Sequence, residues 1–165
     1  MWTKTMKGIE TVLFYTVGVI FLFLFLLNVT QILLRTLTSY SLLWSVDLSQ
    51  FIIIWIVALG AVVALRRNEH LAIDYLKYKI PKKWGTVIDL ITRTIFLLFF
   101  IILTVTGWEV VEAQQGIRYT ILGWSTSYAY LSLPVSGVIM VLFLIESLVQ
   151  IFKKYRKERK HVELS

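Results

Sequence analysis

The sequence predicts an all-α integral membrane protein: four transmembrane helices with both N- and C-termini in the cytoplasm. Three observations predict it. The chain is 58% hydrophobic and only 16% charged, whereas a soluble domain is nearer half apolar and about a quarter charged. The apolar residues gather into long uncharged runs, and such runs decide the class before any motif is read. The basic residues behind the net charge of +7 collect beside the ends of those runs and on one side.

The elements follow in order. Between Glu10 and Arg35 lie 24 residues without a charge, and a crossing takes about 20. This run is too long for a signal-peptide core and lacks an A-x-A cleavage site, so it reads as a retained helix. Between Asp47 and Arg66 lie 18 uncharged residues, just enough for the second crossing. The third is the weakest, because only 15 residues separate Arg93 from Glu109. It borrows Val87 to Thr92 and keeps Asp89 and Arg93 near the inner surface, spaced to pair on one helix face. Between Arg118 and Glu146 lie 27 residues, and the fourth crossing takes the second part of that run. Ser125, Thr126 and Ser127 are candidate caps for it, and Pro134 falls early in it, where a kink is tolerated. The chain thus reads as one four-helix transmembrane domain over 1–165. Its helices lie near 10–34, 48–65, 87–108 and 128–152, with a basic cytoplasmic tail at 153–165.

Orientation follows from Lys and Arg in the short loops. Of 17 such residues, all but Arg35 and Arg118 fall at the N-terminus, in the middle loop with the start of helix three, or in the tail. Those three regions are therefore expected in the cytoplasm. Basic residues beside membrane ends meet anionic lipid, so phospholipid is the expected partner and nucleic acid is not. On the outer side Trp44, Trp108, Tyr119, Trp124, Tyr128 and Tyr130 form the aromatic belt of a membrane interface. Leu71, Ile73, Tyr75, Leu76, Tyr78 and Ile80 interleave with Asp74, Lys77 and Lys79 before Pro81. A short amphipathic segment between helices two and three, lying in the inner interface, fits that pattern; so does an extended stretch.

Several polar residues stand out within the apolar runs. Asn28, Gln31 and Arg35 share one face of helix one. Polar groups in a membrane usually face protein or water, so this stripe is expected to contact another helix, of this chain or of a partner. Asn28-Val29-Thr30 matches the glycosylation pattern but lies deep in an apolar run, and the match is read as chance. Arg35 and Asp47 bracket the first outer loop and could pair across the hairpin or simply be solvated. Gly60 with Ala64, and Ser132 with Ser136, have the small-xxx-small spacing that lets helices approach. Glu146, about two turns from the inner end of helix four, can reach water or a basic neighbour such as Lys153; coupled ion binding is the sharper alternative.

Nothing points to catalysis. Cysteine is absent, which excludes thiol chemistry and thiolate metal sites. His70 has Glu69 and Asp74 as its nearest charged neighbours, and the only other histidine is His161; a metal site needs three or four converging ligands. There is no paired-carboxylate site, phosphate loop or Ser-His-Asp set. No cofactor is expected on this chain.

The stretch from Asn28 to Pro81 resembles the small membrane subunit of tripartite ATP-independent periplasmic (TRAP) transporters, the DctQ-like family. Arg35 ends helix one, Trp44 precedes Asp47, and Trp55 is followed by Leu59-Gly60. Then come Arg66-Arg67-Asn68-Glu69-His70-Leu71, with Asp74 four residues after the histidine. Val46 and Asn68 stand where the family usually has an acid and often a glycine; Asn tolerates the left-handed turn conformation. The resemblance implies a scaffold in the bacterial inner membrane, packed against a large membrane subunit that imports an organic acid. A periplasmic binding protein would deliver that acid, a C4-dicarboxylate, a sialic acid or a related carboxylate. Sodium would bind the large subunit. Asn28, Gln31, Arg35, Trp44, Asp47, Trp55, Gly60, Arg66, Arg67, His70 and Asp74 are the expected structural or partner-subunit contacts. A self-assembling four-helix channel or carrier is the alternative; a membrane enzyme fits least.

Overall fold

The computed structural model describes the backbone of residues 2–38, 40–68 and 82–162, and side-chain surroundings for 6–38, 40–67 and 88–151. Among these residues are four long helices: α1 (Trp2–Thr38), α2 (Leu43–Asn68), α3 (Lys82–Ala113) and α5 (Ser132–Val162). A single turn, α4 (Ser127–Tyr130), leads into α5. Among the described residues there is no strand, only an isolated bridge between Arg118 and Ser125. Among the described residues four segments are long and apolar enough to cross a membrane: Met6–Thr38, Leu43–Arg67, Ile88–Ala113 and Ser127–Ile151. The all-α, four-span class expected from the sequence is the class observed.

The helices run past the uncharged segments because a backbone already in helical register keeps its hydrogen bonds beyond the hydrocarbon edge. The 37 residues of α1 reach about 55 Å at a rise of about 1.5 Å each, well over a hydrocarbon core of about 30 Å. A helix of that length tilts or emerges from the bilayer. The chain enters α5 through α4 with little interruption: the Leu131 N–H donates to the Ser127 carbonyl at 3.0 Å, and the Val135 N–H to the Leu131 carbonyl at 3.2 Å. Pro134 lies in the first turn of α5, where a missing N–H costs least.

Packing joins α1 to α2, α2 to α5 and α5 to α3. The helices therefore stand in the order α1–α2–α5–α3, with α5 and α2 in the middle. Burial follows that order. Half of the most apolar window of the fourth span is buried, against 22% for α2, 11% for α3 and 6% for α1. Met6, Val62, Met140 and Phe143 form a buried cluster from three helices, and Phe100 of α3 packs against it. In lipid such contacts stabilise by close packing, since exposed apolar side chains are already in an apolar solvent.

Candidate functional site

Ionic contacts knit the end of the molecule where α1 begins and α5 ends. Arg66, near the end of α2, meets Glu146 of α5 with Nη2 and Oε2 2.8 Å apart. Both side chains are sequestered, at 13% and 3% exposure, so the attraction acts in a medium far less screening than water. Gln150 Nε2 donates to the other carboxylate oxygen at 3.1 Å, and the Arg66 guanidinium lies 5.2 Å from the Phe143 ring centre. The next residue, Arg67, reaches the opposite way. Its Nε lies 3.3 Å from Glu10 Oε1 of α1, and its guanidinium sits 3.8 Å above the Phe14 ring. The adjacent arginines thus point to different sides of α2, and one helix end clasps both neighbours. Asp89 and Arg93, at the same end of α3, are both buried.

The opposite end is held by Asp47 and the loop between α3 and α4. The buried Asp47 carboxylate accepts the backbone N–H groups of Ile121 and Leu122 at 2.7 and 3.1 Å. Charge-assisted bonds of this kind are about twice as strong as neutral ones. The loop folds back on itself: the Tyr119 N–H donates to the Trp124 carbonyl at 2.8 Å and the Thr126 N–H to the Ile117 carbonyl at 2.9 Å. Gly123 closes the turn with φ at 68°, where a side chain would be strained. Arg118 Nη1 donates to the Gly123 carbonyl at 3.1 Å, and Phe51 of α2 meets Trp124 edge to face. Burial pushes the Tyr119 hydroxyl above its ordinary pKa, with smaller contributions from Tyr130 and Asp47. The Tyr128 carbonyl, beside the join of α4 and α5, accepts the Trp55 indole N–H at 3.2 Å.

The helices α3 and α5 cross closely. A Cβ on Gly107 would come within 3.2 Å of Leu133 Cβ, and one on Gly137 within 3.4 Å of the Thr104 Cα. Beside this crossing an open apolar groove of about 820 Å³ runs between the two helices, with Trp108 and Glu109 on one wall and Val135 and Val138 on the other.

The sequence-predicted residues divide clearly. Asn28 joins α1 to α2 through Nδ2, which donates to Ser49 Oγ at 3.3 Å and to the Leu24 carbonyl at 2.8 Å. Asp47, Trp55, Arg66 and Arg67 each join two elements, as above. Gln31 is partly exposed, and Arg35 and Trp44 are exposed. No salt bridge joins Arg35 to Asp47 among the described residues, because Asp47 turns to the loop instead. A Cβ on Gly60 would stand 4.0 Å from Val17, and Ala64 is exposed, so that pair makes no tight seam. Ser132 and Ser136 are buried. Thr126 occupies the N-cap of α4 without a side-chain cap bond; its hydroxyl donates to the Gln114 and Ile117 carbonyls instead. Glu146 meets Arg66, 80 positions away. His70, Asp74 and the amphipathic 71–80 segment lie outside the described residues.

Sequence reasoning missed Glu10, Phe14, Gly107, Phe143 and Gly137. Glu10 and Arg67 each border an apolar run, and that shared depth was the available signal. Among the described residues no group of three or more His, Cys, Asp and Glu could hold a metal ion.

A family model described as "Tripartite ATP-independent periplasmic transporters, DctQ component" matches residues 24–154. The sialic acid TRAP transporter small permease protein SiaQ of Vibrio cholerae is 28% identical over 123 residues, covering 74% of this chain and 71% of that protein. The sialic acid TRAP transporter permease protein SiaT of Haemophilus influenzae is 29% identical over 143 residues, which are 82% of this chain but 22% of that longer protein. The C4-dicarboxylate TRAP transporter small permease protein DctQ of Vibrio cholerae is 26% identical over 84 residues, 51% of this chain and 36% of its own length.

Proposed function

This chain belongs to the DctQ component family of TRAP transporters, and from that premise we propose that it anchors the large transport subunit of a sodium-coupled organic-acid importer. It is a small permease subunit, a multi-pass protein of the inner membrane and not an enzyme. The finer reading has four parts. The large subunit carries substrate and sodium. A periplasmic binding protein delivers the substrate. This chain packs beside the large subunit and holds it in place. The termini and middle loop face the cytoplasm.

One observation carries the scaffold role. Two charged pairs beside the ends of the spans join one helix to the next, Arg66 with Glu146 and Arg67 with Glu10. A carrier spends such groups on a substrate or ion path; here they hold the helices. The wide apolar surfaces of α1 and α3 suit a protein that works by packing. Similarity to small permeases named for sialic acid and for C4-dicarboxylates supports a carboxylate as the substrate class.

The test is reconstitution. Liposomes holding this chain alone should show no sodium-driven uptake of sialic acid or succinate. Adding the large subunit and the binding protein should restore uptake of one carboxylate. Uptake by the chain alone would establish the self-assembling carrier instead.

A further inference from the structure

The join between α4 and α5 sets two donors against one acceptor. The Tyr128 carbonyl accepts the Trp55 indole N–H at 3.2 Å. In an unbroken helix the same carbonyl would serve the residue four positions on, which is Ser132. Helical hydroxyls elsewhere in the molecule take such a bond: Thr36, Thr94, Thr104 and Thr106 each donate to the carbonyl four residues back, at 2.7 to 2.9 Å. Ser132 makes no such bond. Its side chain is fully buried, at 0% exposure, and its Oγ has no hydrogen-bond partner among the described residues. A buried hydroxyl left in that condition keeps its desolvation cost.

The backbone at the join is already close to helical. Leu131, the single residue between α4 and α5, has φ −55° and ψ −23°, within the right-handed helical region. The bonds that bracket it are made, from the Leu131 N–H to Ser127 and from the Val135 N–H to Leu131. Joining the two helices therefore takes only small rotations. Two features oppose it. Pro134 has no N–H to offer the Tyr130 carbonyl, and it is seated against α3, where a Cβ on Gly107 would lie 3.4 Å from its Cδ. Trp55 opposes it from α2, by occupying the Tyr128 carbonyl.

We infer that Trp55 is the latch of a two-state junction. With its indole on Tyr128, the α4 turn stays separate from α5. When the indole lets go, Ser132 takes the carbonyl and α4 and α5 run as one kinked helix. Serine hydroxyls that satisfy freed backbone groups are what make a proline tolerable inside a membrane helix. The loop clamped by Asp47 leads directly into α4, so the state of the junction sets where that loop sits relative to α5.

The experiment follows amide hydrogen exchange in the full chain in lipid nanodiscs. It compares the unsubstituted protein, Trp55→Phe, and Trp55→Phe combined with Ser132→Ala. Trp55→Phe keeps an aromatic ring and deletes the donor. Exchange at the amides of Ser132 and Leu133 should slow about tenfold, the worth of one hydrogen bond in an equilibrium, because the joined helix protects them. Adding Ser132→Ala should return exchange toward the unsubstituted rate. Simple loss of a packing contact acts the other way and speeds exchange from 127 to 133. Faster or unchanged exchange in Trp55→Phe overturns the latch, and so does slowing that survives Ser132→Ala. If Trp55→Phe fails to fold, lost protection at Val62 and Phe143 reveals it, and Pro134→Ala takes its place. Slowing by Pro134→Ala that Ser132→Ala abolishes is then the expected result; equal exchange with and without the serine hydroxyl overturns the two-state junction.

Discussion

At the scale of single residues, the buried pair of Arg66 and Glu146 has the largest predicted effect. Glu146→Ala leaves a guanidinium buried beside Phe143 without its carboxylate. Removing one partner of a buried pair costs on the order of 3–5 kcal/mol, because the remaining charge keeps its desolvation penalty. Arg66→Met with Glu146→Leu removes both charges and should recover most of that loss. Thermal unfolding of the detergent-purified subunit measures both; equal destabilisation by the single and double variants would show that packing, not charge, dominates. The Arg67–Glu10 pair is more exposed, at 49% and 21%, and losing it should cost less than about 1 kcal/mol. Arg35 is exposed, so Arg35→Ala should leave the melting temperature of the isolated subunit in place. Its predicted effect is on the complex: co-purification with the large subunit and maximum uptake rate should fall together. A change confined to apparent substrate affinity would make Arg35 a recognition residue instead.

At the scale of elements, the seam between α3 and α5 and the loop at the end of α3 set the geometry. Gly137→Val should destabilise by about 1–3 kcal/mol, as overpacking of a close crossing does, because its Cβ would run into the Thr104 side chain. Gly8→Ala is the control: nothing stands within 4 Å, and helix propensity alone should raise stability by about 0.5–1 kcal/mol. Unfolding in denaturant distinguishes the two. The loop has its own test. Asp47→Ala leaves the amides of Ile121 and Leu122 without their acceptor, so hydrogen exchange at those amides should accelerate while the α5 core stays protected. Unchanged exchange there would show that the loop's own ladder holds it. The sequence revealed the small-xxx-small pairs but not this seam. Gly107 and Gly137 each stand alone against side chains of the facing helix, and a search for paired small residues four apart passes over them.

At the scale of the whole molecule, orientation and arrangement have different origins. Orientation rests on basic residues outside the spans, and it is testable on a chain with no cysteine of its own. Cysteine at Ser41 should react with a membrane-impermeant maleimide from outside, and cysteine at Lys7 only after permeabilisation. The reverse pattern would invert the topology. Arrangement rests on contacts. The order α1–α2–α5–α3 places the fourth span between the second and third, which no run of apolar residues reveals. Each apolar run reports only that its helix leaves water.

The sequence alone determined the number of spans, the all-α class, the absence of thiol chemistry and the family resemblance. These depend on hydropathy, charge placement and local motif, which a chain carries whatever its helices do next. Tertiary structure decided which charges are spent within the chain. Glu146 was an intramembrane acid with several possible roles until α2 brought Arg66 to within 2.8 Å of it. Asp47 was a candidate partner for Arg35 until the loop after α3 offered it two backbone amides. The physical reason is the same in both cases. Hydropathy sums over a helix and is legible residue by residue, whereas an ion pair or a helix crossing depends on distances of a few ångströms between residues far apart in the chain. Those distances are set only when side chains from two or three helices pack at once.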